Sequence, residues 1–317
     1  IMKTMFKNND LTQGKIWKVI LNFTLPIFLG TLFQSLYSTI DAIIVGKFAG
    51  KDAFAAIESV MSFQRLPVSF FIGLSSGATI IISQYFGAKE KDDVSKASHT
   101  AMLFAIVGGL ILSILSCLLS PYFIGLIKVP QKIFHEAYIY TFICFSGMVF
   151  SMIYNIGSGI LRALGNSKTP FYILIIGGIT NVLANYFFIV ILKKGVLGVA
   201  IATTLSQTLT ALIVLTYLFK NKTIINFKTS ELKIDFSLLR QILYFGLPAG
   251  IQSMLITFSN IIVQYYINGY GGDAVAAYAT YFKLENFIWM PIVAIGQASM
   301  TFSGQNVGAN NYQRVKK

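Results

Sequence analysis

Residues 17–45 form one nearly continuous apolar stretch with the sequence WKVILNFTLPIFLGTLFQSLYSTIDAIIV. An α-helix needs about 20 apolar residues to cross a hydrocarbon core that is roughly 30 Å thick, and this stretch is longer. Its only charged residues are Lys18 near the start and Asp41 near the end. The stretch therefore predicts a helix that spans a membrane.

Seven similar stretches follow, and together they predict an all-α integral membrane protein. Hydrophobic residues make up 55% of the chain and charged residues 12%, whereas about a quarter of a soluble domain is charged. Several stretches exceed the minimum length, so we expect tilted or bent helices, with Pro26 bending the first. The predicted spans are 17–45, 53–86, 98–120, 134–162, 170–192, 197–219, 238–268 and 273–304.

The distribution of basic residues predicts the orientation. The net charge is +13, and the Lys and Arg residues concentrate in the short segments between spans, as in membrane proteins, rather than in a nucleic-acid-binding motif. More of them lie in the segments that are predicted on the same side of the membrane as the N-terminus, and Arg162 and Lys168 belong to one of these segments. We therefore expect the N-terminus to lie in the cytoplasm and the protein to reside in the cell membrane, without nucleic-acid partners.

An internal repeat relates the start of the chain to its end. Gly50–Lys96 aligns with Gly271–Lys317, and the motif Phe23-Thr-Leu-Pro26 aligns with Phe245-Gly-Leu-Pro248. Spans one and two thus recur as spans seven and eight in the same orientation, which predicts two six-helix units related by an axis along the membrane normal. Identical pairs include Gly50/Gly271, Asp52/Asp273, Ala53/Ala274, Gln84/Gln305, Gly87/Gly308 and Ala88/Ala309.

The repeat also predicts the domain organisation. Residues 1–219 hold a complete six-helix lobe, residues 220–236 form a polar, cationic linker, and residues 237–317 begin a second lobe with two helices only. Because the second lobe lacks four helices, we expect this chain to be a C-terminally truncated form of a twelve-helix protein, and a monomer.

Polar residues of the first span suggest a coupling site. Gln34, Tyr37 and Asp41 are separated by one helical turn each, so they share one face of the helix. A carboxylate is costly inside a membrane, and binding a proton or a cation lowers that cost. Asp41 is therefore a candidate for coupling transport to a proton or sodium gradient. The alternative is that Asp41 merely ends the span near the outer interface.

Three further spans carry stripes of polar residues. Such side chains either line a shared cavity, where amide oxygens can hold a cation, or bond neighbouring helices together. The sequence leaves both readings open at each position. Gly73 and Gly77, four residues apart, predict a face for close helix packing. The stripes are Ser151, Asn155 and Ser158 in span four, Asn181 and Asn185 in span five, and Thr203, Gln207 and Thr210 in span six.

Three charged residues fall near the middle of spans two and eight. Arg65 has Glu58 seven residues away as a possible partner, whereas Lys283 and Glu285 do not face each other within their own helix. For all three we favour ion pairing over substrate contact, with the partners of Lys283 and Glu285 on other helices. Cys117, Cys144, His99 and His135 form no metal-binding pattern, and no enzyme motif is present. The sequence therefore indicates transport rather than catalysis, without a cofactor.

Several motifs resemble the multidrug and toxic compound extrusion (MATE) family. They are Leu25-Pro26, Tyr37-Ser-Thr-Ile-Asp41, Gly159-Ile-Leu-Arg-Ala-Leu-Gly-Asn-Ser-Lys-Thr-Pro170, Tyr281-Phe-Lys-Leu-Glu285 and Gly304-Gln-Asn-x-Gly308-Ala. The resemblance covers nearly the whole chain as the first eight of twelve helices. It implies a two-lobe bundle with a central cleft, alternating access, and export of cationic or amphipathic drugs or metabolites in exchange for protons or sodium ions.

The acidic first helix resembles the DinF-like branch of that family, which implies a cation site in the first lobe. Asn185 stands where many members have an aspartate, so the charge for coupling rests on Asp41. The alternative function is flipping of a lipid-linked precursor, which is disfavoured because the spans offer few cations to hold a pyrophosphate. The implied cation-site residues are Tyr37, Asp41, Asn155, Asn181, Asn185 and Thr203; Gln34, Gln207, Arg65, Lys283 and Glu285 are candidates for the cavity or for contacts between helices.

Overall fold

The fold is known from a computed structural model. It describes residues 10–127, 129–220, 227–228, 231–268, 270 and 272–317. Within the helices, the side chains of residues 62, 264, 268, 272–276, 279–280 and 282–283 lie outside this description. The predicted site residue Lys283 is therefore outside the described side chains, as is most of the linker.

The described part of the chain is helical and contains no strand, which confirms the predicted all-α fold. A hydrocarbon interior offers no hydrogen-bond partners, so a helix, which pairs its own backbone groups, is the stable choice. The helices are α1 Ile16–Ile44, α2 Lys51–Gly87, α3 Lys91–Leu126, α4 Gln131–Ser146, α5 Met148–Ala163, α6 Lys168–Asn185, α7 Gly195–Lys220, α8 Phe236–Asn268, α9 Gly272–Gly308 and α10 Tyr312–Val315.

The eight predicted spans correspond to the nine long helices among the described residues. Seven helices are each long and apolar enough to cross a membrane, and α4 and α5, which meet at a bend of 43°, make an eighth if the pair counts as one broken span. The bend lies at Gly147, where a Cβ atom would come within 2.6 Å of Thr204 Cγ2 on α7. The break in span four thus occurs at a close helix approach and not at a proline. Pro26 lies inside α1, and a bend there stays a prediction.

Two spans end in a wider type of helical turn. After Ile44, α1 continues as the π-helical segment Val45–Ala49, and after Asn185, α6 continues as Tyr186–Ile191. Segments of this kind are rare and often lie at functional sites, because they disturb the regular backbone hydrogen bonding of a helix. The sequence analysis did not predict either of them.

Helices α2 and α8 pack with their backbones in direct contact, through glycines on both sides. A Cβ atom on Gly73 or Gly77 would overlap the backbone of α8 around Gly250 and Gly246. In the opposite direction, a Cβ on Gly246 would lie 2.9 Å from the Leu74 carbonyl oxygen. This arrangement confirms that Gly73 and Gly77 form a packing face, and it joins the first six spans to the last two.

The repeated Gln-x-x-Gly motifs meet each other where α2 and α9 end. A Cβ atom on Gly87 would overlap the Gln305 carbonyl, and a Cβ on Gly308 would overlap the Gln84 carbonyl. The contact is reciprocal, with equivalent residues of the two repeats exchanging places. Such an exchange is what a two-fold axis between repeated units produces.

The same end of the bundle is held together by a small hydrogen-bonded network. The fully buried Gln305 accepts from the Leu11 backbone N–H at 3.0 Å and donates to the Ala163 carbonyl at 2.8 Å. Arg314 donates to the Gly14 carbonyl at 2.7 Å. The N-terminal segment, the end of α5 and the end of α9 are thus tied together. We call this part of the molecule the closed end.

The described residues of the linker pack against the first turns of α3. Lys228 donates its backbone N–H to His99 Nε2 at 3.1 Å, and the Phe227 ring stacks on the His99 ring at 4.2 Å. Lys228 also pairs with Glu231 at 2.8 Å, and its ammonium group lowers the pKa of that carboxyl below its usual value. The linker is therefore attached to the first six spans as well as leading into α8.

The glycine contact between α2 and α8 leads to a stability prediction. We expect Gly77→Ala to lower the free energy of unfolding by about 1–3 kcal/mol, because the new methyl group forces the two backbones apart. Gly296→Ala is the matched control, since a Cβ at this helical position meets no atom within 4 Å. Thermal unfolding in detergent tests the pair. Equal melting temperatures for the two variants would show that the contact is looser than described.

Candidate functional site

Asp41 and Asn185 are brought into direct contact between α1 and α6. The Asn185 side-chain amide donates to the Asp41 carboxylate, and Asn185 is completely buried. Asp41 itself is partly buried. Asn185 lies immediately before the π-helical segment Tyr186–Ile191, and Asp41 lies one helical turn before the π-helical segment Val45–Ala49. The sequence predicted both residues, but not their contact.

The contact extends along α6 to α7. Asn185 also donates to Asn181 Oδ1 at 3.3 Å, and Asn181 donates to Ser206 Oγ at 3.5 Å. Ser206 in turn donates to the Thr203 carbonyl at 2.8 Å. We call Asp41, Asn181, Asn185, Thr203 and Ser206 the Asp41 cluster. Thr203 takes part in this cluster through its backbone carbonyl oxygen. The sequence analysis did not predict Ser206, although it lies one helical turn from Thr203.

One acceptor in the Asp41 cluster is left without a partner. Asn185 Oδ1 is buried and receives no hydrogen bond within the described part of the chain. An unsatisfied buried carbonyl costs roughly 1–3 kcal/mol, and an amide oxygen next to a carboxylate is a suitable ligand for a proton donor or a small hard cation. The cluster therefore combines an ionisable carboxylate with a free amide oxygen, which are the groups that bind protons and small cations.

A cavity of about 640 Å³ lies beside the Asp41 cluster, between the first six spans and the last two. Side chains of α1, α2, α5, α6, α7, α8 and α9 line it. Six of the predicted polar residues line this cavity: Gln34, Tyr37, Ser151, Asn155, Gln207 and Thr210. Asp41, Asn181, Asn185 and Thr203 are not among its lining residues, so the predicted set divides between two neighbouring places. Ser206 belongs to both and connects them.

Small residues set the position of the polar side chains in the cavity. Gly178 on α6 leaves room for α1, because a Cβ there would lie 2.7 Å from both the Tyr37 and the Phe33 rings. Asn155 is fixed within α5 by donating to the Ser151 carbonyl at 2.8 Å, and its own carbonyl accepts from Ser75 at 3.0 Å. The Asn155 amide therefore bonds its own helix and makes no bond to the Asp41 cluster.

Arg162 lines the cavity, which the sequence analysis did not predict. It was the last residue of predicted span four and was counted with the basic residues of the segment that follows, and it lies in the last turn of α5. Its position follows from the tertiary fold, because α5 ends inside the bundle and Gly165, with φ +80°, turns the chain back into α6. The sequence contained an indication of this position, since Arg162 stands between the apolar pairs Ile160-Leu161 and Ala163-Leu164 and arginine is rare among apolar residues of a span.

Neither Arg65 nor Glu285 forms an ion pair among the described residues, so the pairing that the sequence favoured is not found there. Arg65 is exposed and its guanidinium contacts the Met61 sulfur at 3.6 Å, with no ion pair to Glu58. Glu285 accepts from Trp289 Nε1 at 3.2 Å on its own helix rather than from another helix. Neither residue lines the cavity. Among the described His, Cys, Asp and Glu residues, no group of three or more is placed to hold a metal ion.

The contact of Asp41 with Asn185 predicts a pH-dependent variant. In Asn185→Asp, two carboxylates face each other, so they repel when both are ionised and share a hydrogen bond when one is protonated. We expect the variant to be less stable than the original protein by about 1–3 kcal/mol at high pH, and to regain stability as the pH falls. Thermal unfolding in detergent across pH measures this. Asn310→Asp, which adds the same charge at an exposed turn, is the control and should show no such trend.

Comparison with known proteins gives a consistent picture. The MatE family model matches residues 26–187 and 248–317. The chain is 33% identical over 313 residues to "Probable multidrug resistance protein YoeA" of Bacillus subtilis, covering 96% of this chain and 68% of the relative. It is 25% identical over 307 residues to "Multidrug export protein MepA" of Staphylococcus aureus, covering 94% and 66%.

Solved structures share the fold. A MOP superfamily transporter from Pyrococcus furiosus superposes with a TM-score of 0.91 at 21% identity, covering 98% of this chain and 70% of that one. A MATE transporter in an outward-facing conformation superposes with a TM-score of 0.90 at 22% identity, with the same coverage. At these identities the likeness concerns the architecture, which is the MATE-type helical bundle.

Proposed function

This chain belongs to the MatE family, and we propose that it exports amphipathic compounds by cation-coupled antiport with alternating access. The relatives that share most of its length are named as multidrug resistance or export proteins. Membership therefore implies a multi-pass membrane transporter of small molecules, which is not an enzyme and needs no cofactor. The coupling ion, the transport cycle and the orientation are parts of the proposal.

The single observation that carries the proposal is the contact of Asp41 with Asn185. It combines an ionisable group within a membrane span, which is functional by default, with an unpaired buried amide oxygen and two π-helical segments. One carboxylate can carry one charge, so each cycle exchanges one proton or one sodium ion at this place. With an asparagine as its partner, proton coupling is favoured over a sodium site built from several carboxylates.

Ser206 connects the coupling site to the substrate cavity. It accepts from Asn181 of the Asp41 cluster, and it also lines the cavity. When Asp41 binds a proton or cation, its bond from Asn185 weakens, and the chain of hydrogen bonds to Asn181 and Ser206 rearranges. The cavity wall formed by α6 and α7 then changes. Coupling of this kind lets the incoming cation displace a bound substrate.

The position of the closed end suggests the side of the membrane to which the described state opens. If the N-terminus lies in the cytoplasm, as the basic residues predict, the network around Gln305 seals the cytoplasmic side of the cell membrane. The state described is then the one that releases substrate outward. The proposed lobes are residues 1–219 and 237–317, joined by the linker 220–236, and alternating access requires the reciprocal contact of α2 and α9 to open. We propose that the transporter acts as a monomer.

Efflux of dye from vesicles tests the proposal. The full-length protein would be reconstituted into proteoliposomes, and a proton gradient and a sodium gradient would be imposed separately on a panel of fluorescent amphipathic dyes. We expect one gradient to drive efflux in the original protein. Asp41→Asn should reduce this efflux to the level of protein-free vesicles, because the neutral amide cannot alternate between charged and uncharged forms.

Asp92→Asn is the matched control, because it removes the same charge from an exposed position in the first turn of α3. This variant should transport like the original protein. If no gradient moves any dye, or if Asp41→Asn transports normally, the antiport mechanism is refuted. The alternative, a flippase for a lipid-linked precursor, is not favoured, because the cavity offers a single cation for a pyrophosphate group.

A further inference from the structure

The lining of the cavity has an unusual charge balance. Among the described residues that line it, Arg162 is the one charged side chain, and no carboxylate is present. The other polar groups are neutral: they are Thr31, Gln34, Tyr37, Ser75, Ser76, Thr79, Ser151, Tyr154, Asn155, Ser167, Ser206, Gln207, Thr210, Gln252, Ser253 and Gln297. The cavity is therefore positively charged, which disfavours the cationic substrates that the family resemblance implied.

Arg162 is partly buried, and its charge has no partner. None of the three ion pairs in the described part of the chain includes it, and its guanidinium forms no hydrogen bond there. Its place in the last turn of α5 offsets some of the cost, since the end of a helix carries a partial negative charge. That interaction leaves its five N–H donors unused. A partly desolvated cation in this position is costly unless an anion joins it.

Two hydroxyl groups of the cavity lining close to α5 are already used as hydrogen-bond donors. Gly159, one turn earlier on α5, faces Ser75 and Thr79, whose hydroxyl oxygens would lie within 3 Å of an added Cβ atom. Both hydroxyls already donate elsewhere, Ser75 to the Asn155 carbonyl and Thr79 to the Ser75 carbonyl. Their hydrogens are therefore committed, whereas the guanidinium can still donate two parallel bonds to a carboxylate.

We propose that the cavity binds amphipathic compounds that carry a single carboxylate, and that Arg162 pairs with this group. The inference rests on the proposed export function and names its substrate class. The apolar body of the compound would lie against the side chains that form the remaining wall, among them Ile72, Phe171, Val293 and Met300. One guanidinium matches one carboxylate, whereas a pyrophosphate would need several cations.

Binding of two dyes with the same ring system tests the assignment. In a buffer acidic enough to keep its ring phenol protonated, fluorescein carries a carboxylate as its single charge, and rhodamine 123 is a cation of similar size and shape. With the full-length protein in nanodiscs, fluorescence anisotropy should give fluorescein roughly tenfold or more the affinity of rhodamine 123. Arg162→Gln should weaken fluorescein binding by a similar factor and leave rhodamine 123 unchanged or tighter. Arg162→Lys, which keeps the charge but not the planar guanidinium, should lose less of the affinity for fluorescein.

Two further variants make the result decisive. Lys168→Gln removes a positive charge six residues away at an exposed position outside the cavity, and it should change neither affinity. Gln297→Glu keeps Arg162 and adds a carboxylate to the lining, so it should weaken the binding of fluorescein and strengthen the binding of rhodamine 123. This variant tests the assignment even if Arg162→Gln fails to fold. The assignment is overturned if the original protein binds rhodamine 123 as well as fluorescein, or if Arg162→Gln weakens both dyes equally.

The outcomes also separate this inference from the export function. If a gradient drives export of rhodamine 123 while Arg162→Gln leaves the affinity for fluorescein unchanged, the antiport mechanism stands and the substrate assignment fails. If fluorescein binds through Arg162 but no gradient moves either dye, the binding site stands and the antiport mechanism fails.

Discussion

The close approach of α2 and α8 is the contact on which the rest of the structure depends. Water is absent from a bilayer interior, so helices associate there by tight packing and not by the hydrophobic effect. Gly73 and Gly77 on one side, and Gly246 and Gly250 on the other, let the two backbones touch. This joins the first six spans to the last two, and Gly73 also lines the cavity between them. At the closed end, the reciprocal contacts of Gly87 and Gly308 bring α2 and α9 together in the same way.

Within that frame, the polar groups are separated into two compartments with different chemistry. The Asp41 cluster is an acidic, amide-rich site between α1, α6 and α7, whereas the cavity is lined by neutral groups and one guanidinium. Ser206 is the residue shared by both. Asn181, Asn185 and Ser206 of the cluster stand on α6 and α7, which also form part of the cavity wall, whereas Arg162 stands on α5. In the proposed mechanism, occupation of the cluster therefore changes the wall of the cavity through α6 and α7. Such an arrangement couples two ligands without direct competition for one side chain.

The charge of the cavity also bears on the choice of substrate. A carboxylate in the lining would stabilise a cationic substrate, and none is present among the described residues that line the cavity. A carboxylate-bearing compound has a natural partner in Arg162, and its uptake relieves the cost of a desolvated cation. The aromatic and aliphatic walls then select for size and shape, as is usual for sites that accept many related compounds.

The sequence by itself determined the membrane-spanning, all-helical fold, the eight spans, the repeat and the residues of the Asp41 cluster other than Ser206, because long apolar runs and helical spacing are local properties. Only the tertiary structure decided which polar residues meet. It divided the predicted polar residues between the Asp41 cluster and the cavity, left Arg65 and Glu285 outside both, and placed Arg162, at the end of span four, in the lining of the cavity. Contacts between helices depend on where backbones can touch and on where each helix ends. A one-dimensional pattern does not encode these features, so the charge of the cavity emerged from the fold alone.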